Sequence, residues 1–315
     1  MKFACVFPGQ GSQSLGMMAE LAEDYPVVNE LFSKASKVLK YDLWEIVQEG
    51  PVEELNKTEI TQPAMLVAGV AVYEILKSKL GEDVTPEIMA GHSLGEYTAL
   101  VCAGAIEFDA AVKLVSKRGK LMQAAVPDGV GAMAAILGLD DAVVLEICEM
   151  CSDDNFAVQA VNFNSPGQIV IAGNVQAVET AMAIAKEKGA KRALKLPVSV
   201  PSHSSLMAGA AKKLATYLKD VKIKKASTLP VIQNAAARNY TKPVDVKKNL
   251  VKQLHSPVLW VDSVNNLIKE GVDTIIECGP GKVLIGLNKR IDKEVAHYTI
   301  NDVETLDKTL EEISS

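Results

Sequence analysis

The chain has 315 residues, with 33 Lys+Arg against 39 Asp+Glu and a formal net charge of −6. That balance argues against a general nucleic-acid binder and, at face value, against an acidic protein partner. With 48% hydrophobic and 23% charged residues the chain can bury a sizeable core, which excludes disordered, collagen-like and low-complexity classes.

Phe3 to Phe7 reads as a buried strand stopped by Pro8-Gly9, and it is too short for the apolar region of a signal peptide. Val27, Val28, Leu31, Phe32, Ala35, Val38 and Leu39 recur at helical spacing. Thr61, followed by Gln62 and Pro63, is expected to cap the next helix, with the proline in its first turn. The longest apolar run, Ala64 to Tyr73, falls well short of the ~20 residues of a membrane helix. Ile88 to Ala90 is a short strand leading into Gly91-His92-Ser93-Leu94-Gly95, with a helix to about Ala105. A further helix carries an apolar stripe of Ala111, Val115, Leu121 or Met122, and Ala125, and Arg118 falls on that stripe.

Between Pro127 and Pro197 the order is strand (131–137), helix (140–151), strand (156–162), strand (168–172), helix (175–188), strand (193–198). This βαββαβ order is the split ferredoxin-like motif, expected as a small domain over 128–197 inserted into a larger one of 1–127 and 198–315. Later strands are expected at 229–233, 273–278 and 296–300. The alternation of strands and helices predicts an α/β fold with a mostly parallel sheet. Five scattered cysteines fit a reducing compartment, so the expectation is a soluble, cytoplasmic protein.

Gly91-His92-Ser93-Leu94-Gly95 matches G-x-S-x-G between a strand and a helix. A tight turn there would expose the Ser93 hydroxyl, and the next helix N-terminus would offer N–H groups to a developing oxyanion. A serine nucleophile needs a base, and the chain has four histidines. His92 is expected to point away across the turn, while His255 and His297 fit structural positions. His203 follows Pro197-Val198-Ser199-Val200-Pro201-Ser202, a loop stiffened by two prolines, and is the candidate base. No acid has a distinctive context, and a backbone carbonyl would hold the Nδ1–H tautomer equally well. Arg118 is one of four arginines. On a buried face it calls for an internal Asp/Glu partner, a snorkelling stem, or a substrate carboxylate. Gly9-Gln10-Gly11 lacks dinucleotide spacing because Gly16 arrives too late, though its N–H groups could line an oxyanion hole. Cys148-Glu149-Met150-Cys151 reads as helix packing, and Gly279-Pro280-Gly281-Lys282 as a turn.

Taken together, these segments resemble the malonyl-CoA:acyl carrier protein transacylases over essentially the whole chain. The resemblance rests on Phe7 to Gln13, Thr61 to Ala64, Gly91 to Tyr97, Arg118-Gly119, Asn162 to Gln168, Pro201-Ser202-His203, Gln253 to Trp260 and Gly279 to Lys282. It implies an α/β-hydrolase-like large domain with a ferredoxin-like insertion. It also implies Ser93 as nucleophile, His203 as base, and the N–H groups of Gln10 and Leu94 as oxyanion hole. Arg118 would receive the malonyl carboxylate, the Gln253 carbonyl would orient the histidine, and Gln62 and Asn162 would line the pocket. The substrates implied are malonyl-CoA and holo acyl carrier protein, with no cofactor or metal, no nucleic acid and no membrane.

Three rivals are a thioesterase or acyl hydrolase on the same scaffold, an acyltransferase of a polyketide pathway, and a catalytically dead scaffold. The net charge conceals a distribution: residues 186–225 hold 11 Lys+Arg and 2 Asp+Glu, leaving 22 − 37 = −15 on the remainder. That basic stretch is either a solvated face or a docking surface for an acidic carrier near Lys188, Lys191 and Lys195.

Overall fold

The computed structural model describes residues 2–81, 84–127, 129–198, 200–224 and 229–313. The expected domain ends at 1, 128 and 315, Ser199 in the proline loop and Lys225 of the basic stretch lie outside them. In chain order the strands are β1 (Phe3–Phe7), β2 (Ile88–Gly91), β3 (Gly131–Leu137), β4 (Val158–Ser165), β5 (Gln168–Asn174) and β6 (Arg192–Lys195). There follow β7 (Val231–Gln233), β8 (Arg238–Asn239), β9 (Thr274–Cys278) and β10 (Ala296–Ile300).

The larger sheet has the order β10-β9-β1-β2-β7-β8 and is parallel except for β8, which pairs antiparallel with β7. β1 and β2 are apolar and buried along their whole length, as central parallel strands covered on both faces must be. Helices cover one face through Leu66, Ala68, Val112 and Val115, and the other through Trp260, Val264 and Leu284.

The smaller sheet, β4-β5-β3-β6, is wholly antiparallel. Along β3 the side chains alternate with a period of two. Ala132, Ala134 and Ile136 face the helices Asp141–Met150 and Val175–Glu187, while Met133 and Ala135 face the other way with Leu196 and Val198. That second face lies over the cleft described below, which Met133, Leu196 and Val198 line. Backbone bonds from Phe163 N–H to Val258 O and from Val258 N–H to Val161 O tie β4 to the segment just before the helix Trp260–Lys269.

Three of the expected boundaries that move have a plain local cause. The helix expected from Thr61 begins at Thr58 and runs to Leu80, with Lys57 as its cap residue. The Thr61 hydroxyl donates to Leu55 O instead of capping, and Pro63 sits inside the helix. β4 starts two residues after Phe156, because Asp153 Oδ1 accepts from the N–H groups of Asn155 and Phe156 and closes a turn there. β6 ends at Lys195, just ahead of Pro197, which has no N–H to donate.

Thr58–Leu80 is the one helix among the described residues long and apolar enough to cross a membrane, and 89% of its apolar window is buried in the fold. It packs against the helix Phe108–Gln123 at Gly119, where a Cβ would stand 2.6 Å from Glu59 Cα. This close approach brings Arg118 under the C-terminal edge of the large sheet.

Candidate active site

Ser93 sits where β2 passes into the helix Gly95–Cys102, with φ 52°. A side chain is rare in that left-handed region, and the neighbouring residues explain how it is held. A Cβ on Gly91 would lie 1.9 Å from the Gly95 backbone, and one on Gly95 would lie 2.0 Å from Phe7 O. Only glycine at both positions lets the turn close so tightly. Asn234, fully buried just after β7, straps the turn: its Oδ1 accepts from Ser93 N–H at 2.7 Å and its Nδ2 donates to Gly91 O at 2.7 Å.

His203, also at positive φ (66°), brings Nε2 to 2.8 Å from Ser93 Oγ. Its Nδ1 lies 2.6 Å from the main-chain oxygen of Gln253. A carbonyl can only accept, so Nδ1 carries the proton and Nε2 is left to accept from the serine hydroxyl. Burial, and then the Arg118 guanidinium, push the His203 pKa down to about 3, so the ring is neutral at pH 7.

The stripe position expected of Arg118 is occupied as read: the residue is 1% exposed. The internal carboxylate partner is not there, and the stem does not snorkel. Among the described residues no carboxylate forms an ion pair with it. One terminal nitrogen instead donates to Ser93 Oγ at 3.1 Å and to Gln253 Oε1 at 3.0 Å, and the guanidinium carbon lies 5.3 Å from the Tyr97 ring centroid. Its Nε is buried without a partner among the described residues.

Ser93, His203 and Arg118 meet in a cleft of ≈ 220 Å³ that Gln10, Leu94, Gln62 and Asn162 also line. This is smaller than pockets that hold drug-sized ligands (about 300–1,000 Å³), and it suits a short acyl group. Among the described residues, the backbone N–H groups of Gln10 and Leu94 donate to no acceptor inside the chain. Gln62 Oε1 and Asn162 Oδ1 are likewise buried without partners.

No other histidine ring bonds Ser93 among the described residues, although His92 borders the cleft. His92 turns to Asn164 Oδ1 (2.8 Å) with its ring against Trp260, His297 Nε2 bonds to Asp292 O, and His255 follows the helix Pro243–Gln253. Cys148 and Cys151 are free thiols at a helix C-terminus, and Gly279 to Lys282 is the turn after β9.

Sequence reasoning missed Asn234 and Glu96. Glu96 is fully buried and accepts from Gln233 Nε2 (3.0 Å), Asn234 N–H (2.9 Å) and Gln253 Nε2 (2.8 Å). Burial raises its pKa to about 7 against those three donors and the Arg118 charge.

A family model described as the acyl transferase domain matches residues 4–303. The chain belongs to that family. This acyltransferase is 54% identical over 302 residues to a malonyl CoA-acyl carrier protein transacylase of Haemophilus influenzae, covering 96% of each chain. The enzyme of the same name from Escherichia coli K12 is 52% identical over 310 residues, 98% of this chain and 99% of its own. Among solved structures, an acyl carrier protein S-malonyltransferase from Vibrio cholerae matches with TM-score 0.94 at 53% identity, over 98% of this chain and all of its own. A malonyl-transacylase in complex with a holo type II PKS acyl-carrier protein matches with TM-score 0.96 at 50% identity, over 99% of this acyltransferase and all of its own chain. The resemblance drawn from the motifs is thereby borne out, as is the α/β class with a mostly parallel sheet.

Proposed function

We propose that this acyltransferase moves the malonyl group of malonyl-CoA onto the phosphopantetheine thiol of an acyl carrier protein, through a malonyl ester on Ser93. The observation that carries the reading is the position of Ser93 Oγ, 2.8 Å from His203 Nε2 and 3.1 Å from an Arg118 nitrogen. A malonyl thioester has its free carboxylate one methylene from the reacting carbonyl. A buried cation beside the nucleophile therefore matches malonate and leaves acetate nothing to bind.

His203 takes the hydroxyl proton as Ser93 Oγ adds to the thioester carbonyl, and the N–H groups of Gln10 and Leu94 receive the oxyanion. Collapse expels CoA sulfur, which leaves with the proton from His203. The carrier thiol then gives its proton to His203 and attacks the serine ester by the reverse path. A thioester is exchanged for a thioester, so the reaction needs neither an energy source nor a cofactor. Gln62 and Asn162, each presenting an unpaired oxygen at the cleft, complete its polar wall. Arg118 also weighs against a hydrolase for simple acyl groups, which has no carboxylate to hold. The free cysteines and the similarity to malonyl CoA-acyl carrier protein transacylases support cytoplasmic supply of fatty acid chain elongation. Initial rates with malonyl-CoA and holo carrier protein should give parallel double-reciprocal lines. Intersecting lines, or free malonate released as fast without carrier as with it, would refute the reading.

The carrier is expected to dock beside β6. That strand is an edge of the small sheet, exposes Arg192, Leu194 and Lys195 with exposed Lys191 just ahead of it, and runs directly into the cleft-lining residues Leu196 to Val198. The basic stretch is less uniformly positive in space than in sequence, since Lys188 pairs with Glu146 and Lys195 with Glu179. Charge reversal at Lys188, Lys191 or Lys195 should raise KM for carrier about three- to tenfold and leave malonyl-CoA kinetics alone, with Lys191 giving the largest change. Steady-state kinetics with each substrate varied in turn checks this, and an unchanged carrier KM in all three would place docking elsewhere.

A further inference from the structure

We infer that Glu96 is a positioning residue of the acyl-transfer site: in its ionised form the carboxylate accepts three hydrogen bonds and so fixes the sense of the Gln253 amide and the place of Asn234. Through these two it holds the Ser93 turn and the Arg118 guanidinium. Glu96 does not line the cleft, so it acts through its neighbours and not on substrate.

The two ends of the Gln253 side chain are chemically opposite. Its Nε2 donates to Glu96 Oε2 and to Ser93 O, and its Oε1 accepts from Arg118. Turned over, the same amide would aim NH₂ at a guanidinium that can only donate, and oxygen at a carboxylate that can only accept. Glu96 makes one orientation strongly preferred. The same Glu96 Oε2 takes the backbone N–H of Asn234, whose side chain bonds both Ser93 N–H and Gly91 O. One buried oxygen therefore sets both amides that flank the serine.

The arrangement also explains how Arg118 can be buried without a direct carboxylate partner. Glu96 lowers the cost of the buried charge at one remove, with the Gln253 amide between the two. A direct ion pair would occupy the guanidinium edge that a substrate carboxylate needs. Gln233 closes the third side, donating to Glu96 Oε1.

Shape and charge can be separated by two substitutions. Glu96→Gln keeps the volume and loses the acceptor-only character. Glu96→Asp keeps the carboxylate and loses a methylene. The readout is the single-turnover rate constant for malonyl-enzyme formation, which unlike its amplitude does not depend on the fraction of folded protein. Glu96→Gln should slow acylation about tenfold or more and lower the malonyl-over-acetyl preference, with Glu96→Asp the faster of the two. A rate for Glu96→Gln equal to or above that of Glu96→Asp would show a packing role and overturn the proposal.

If neither variant folds, Gln233→Leu removes the donor to the far carboxylate oxygen and leaves every group around Ser93 in place. A rate about threefold or more below wild type sustains the proposal, and a rate equal to wild type overturns it. The inference rests on the acyl-transfer reading. Absence of a malonyl adduct in the wild type would sink that reading, whereas a normal wild type with an unaffected Glu96→Gln sinks this inference alone.

Discussion

Replacing Arg118 with alanine is expected to lower kcat/KM for malonyl-CoA by about 10²–10³-fold, while acetyl-CoA changes by about tenfold or less. The malonyl loss is that of a charge-assisted contact inside a closed cleft, where the substrate carboxylate would be left desolvated with no cation. The acetyl change has a different origin. Arg118 also donates to Ser93 Oγ and Gln253 Oε1, so its removal disturbs the serine for any acyl group. Lysine in its place should recover little, because a point charge cannot bond Ser93, Gln253 and a carboxylate from one planar fork. Steady-state kinetics with the two thioesters checks the ratio. Equal falls for both would remove Arg118 as the carboxylate receptor and reduce it to a support for Ser93.

The second large effect concerns the pair itself. His203→Ala is expected to slow malonyl-enzyme formation by about 10³-fold or more, Ser93→Ala to abolish it, and the double variant to be no worse than Ser93→Ala. On the proposed mechanism the two side chains act as a unit, because the serine hydroxyl is a weak nucleophile until Nε2, 2.8 Å away, accepts its proton. The pH dependence follows from the depressed pKa. Burial holds imidazolium off until about pH 3, far below the range of an ordinary histidine. Protonation of His203 therefore contributes no loss of acylation as pH falls from 8 to 5, where a free histidine would already be charged. Stopped-flow acylation across that range reads this in Glu96→Gln enzyme, from which the neighbouring carboxyl that titrates near pH 7 has been removed.

How far the sequence carried these conclusions depends on how local the signal was. β1, β3 and β10 lie where they were read, because each is a short apolar or β-rich run with a clear stop. Ser93 was legible for the same reason: its glycines, strand and helix are all within a few residues. Arg118 was legible as an oddity, a scarce arginine on an apolar stripe. His203 stood out less, since a proline-stiffened loop is common and its partner carbonyl lies 50 residues away.

Errors arose where local chemistry gave a false cue or none. Thr61-Gln62-Pro63 looks like a helix start, yet the helix had already begun at Thr58 and the threonine serves a carbonyl before it. Glu96 lies in the quoted motif but reads as an ordinary acid in a first helical turn. Its significance comes from Asn234 and Gln253, 138 and 157 positions away, and no periodicity encodes that meeting. The net charge of −6 says little by itself, because it averages over a chain whose residues 186–225 hold 11 Lys+Arg and 2 Asp+Glu.

The most direct test of the account is the mass of the enzyme itself. After brief exposure to malonyl-CoA, intact-protein mass spectrometry should show one malonyl group per chain, mapped to the peptide that holds Ser93. The group should persist in buffer and vanish on addition of holo carrier protein, which gains it. No adduct, an adduct on another residue, or loss to water as fast as to carrier would contradict the account.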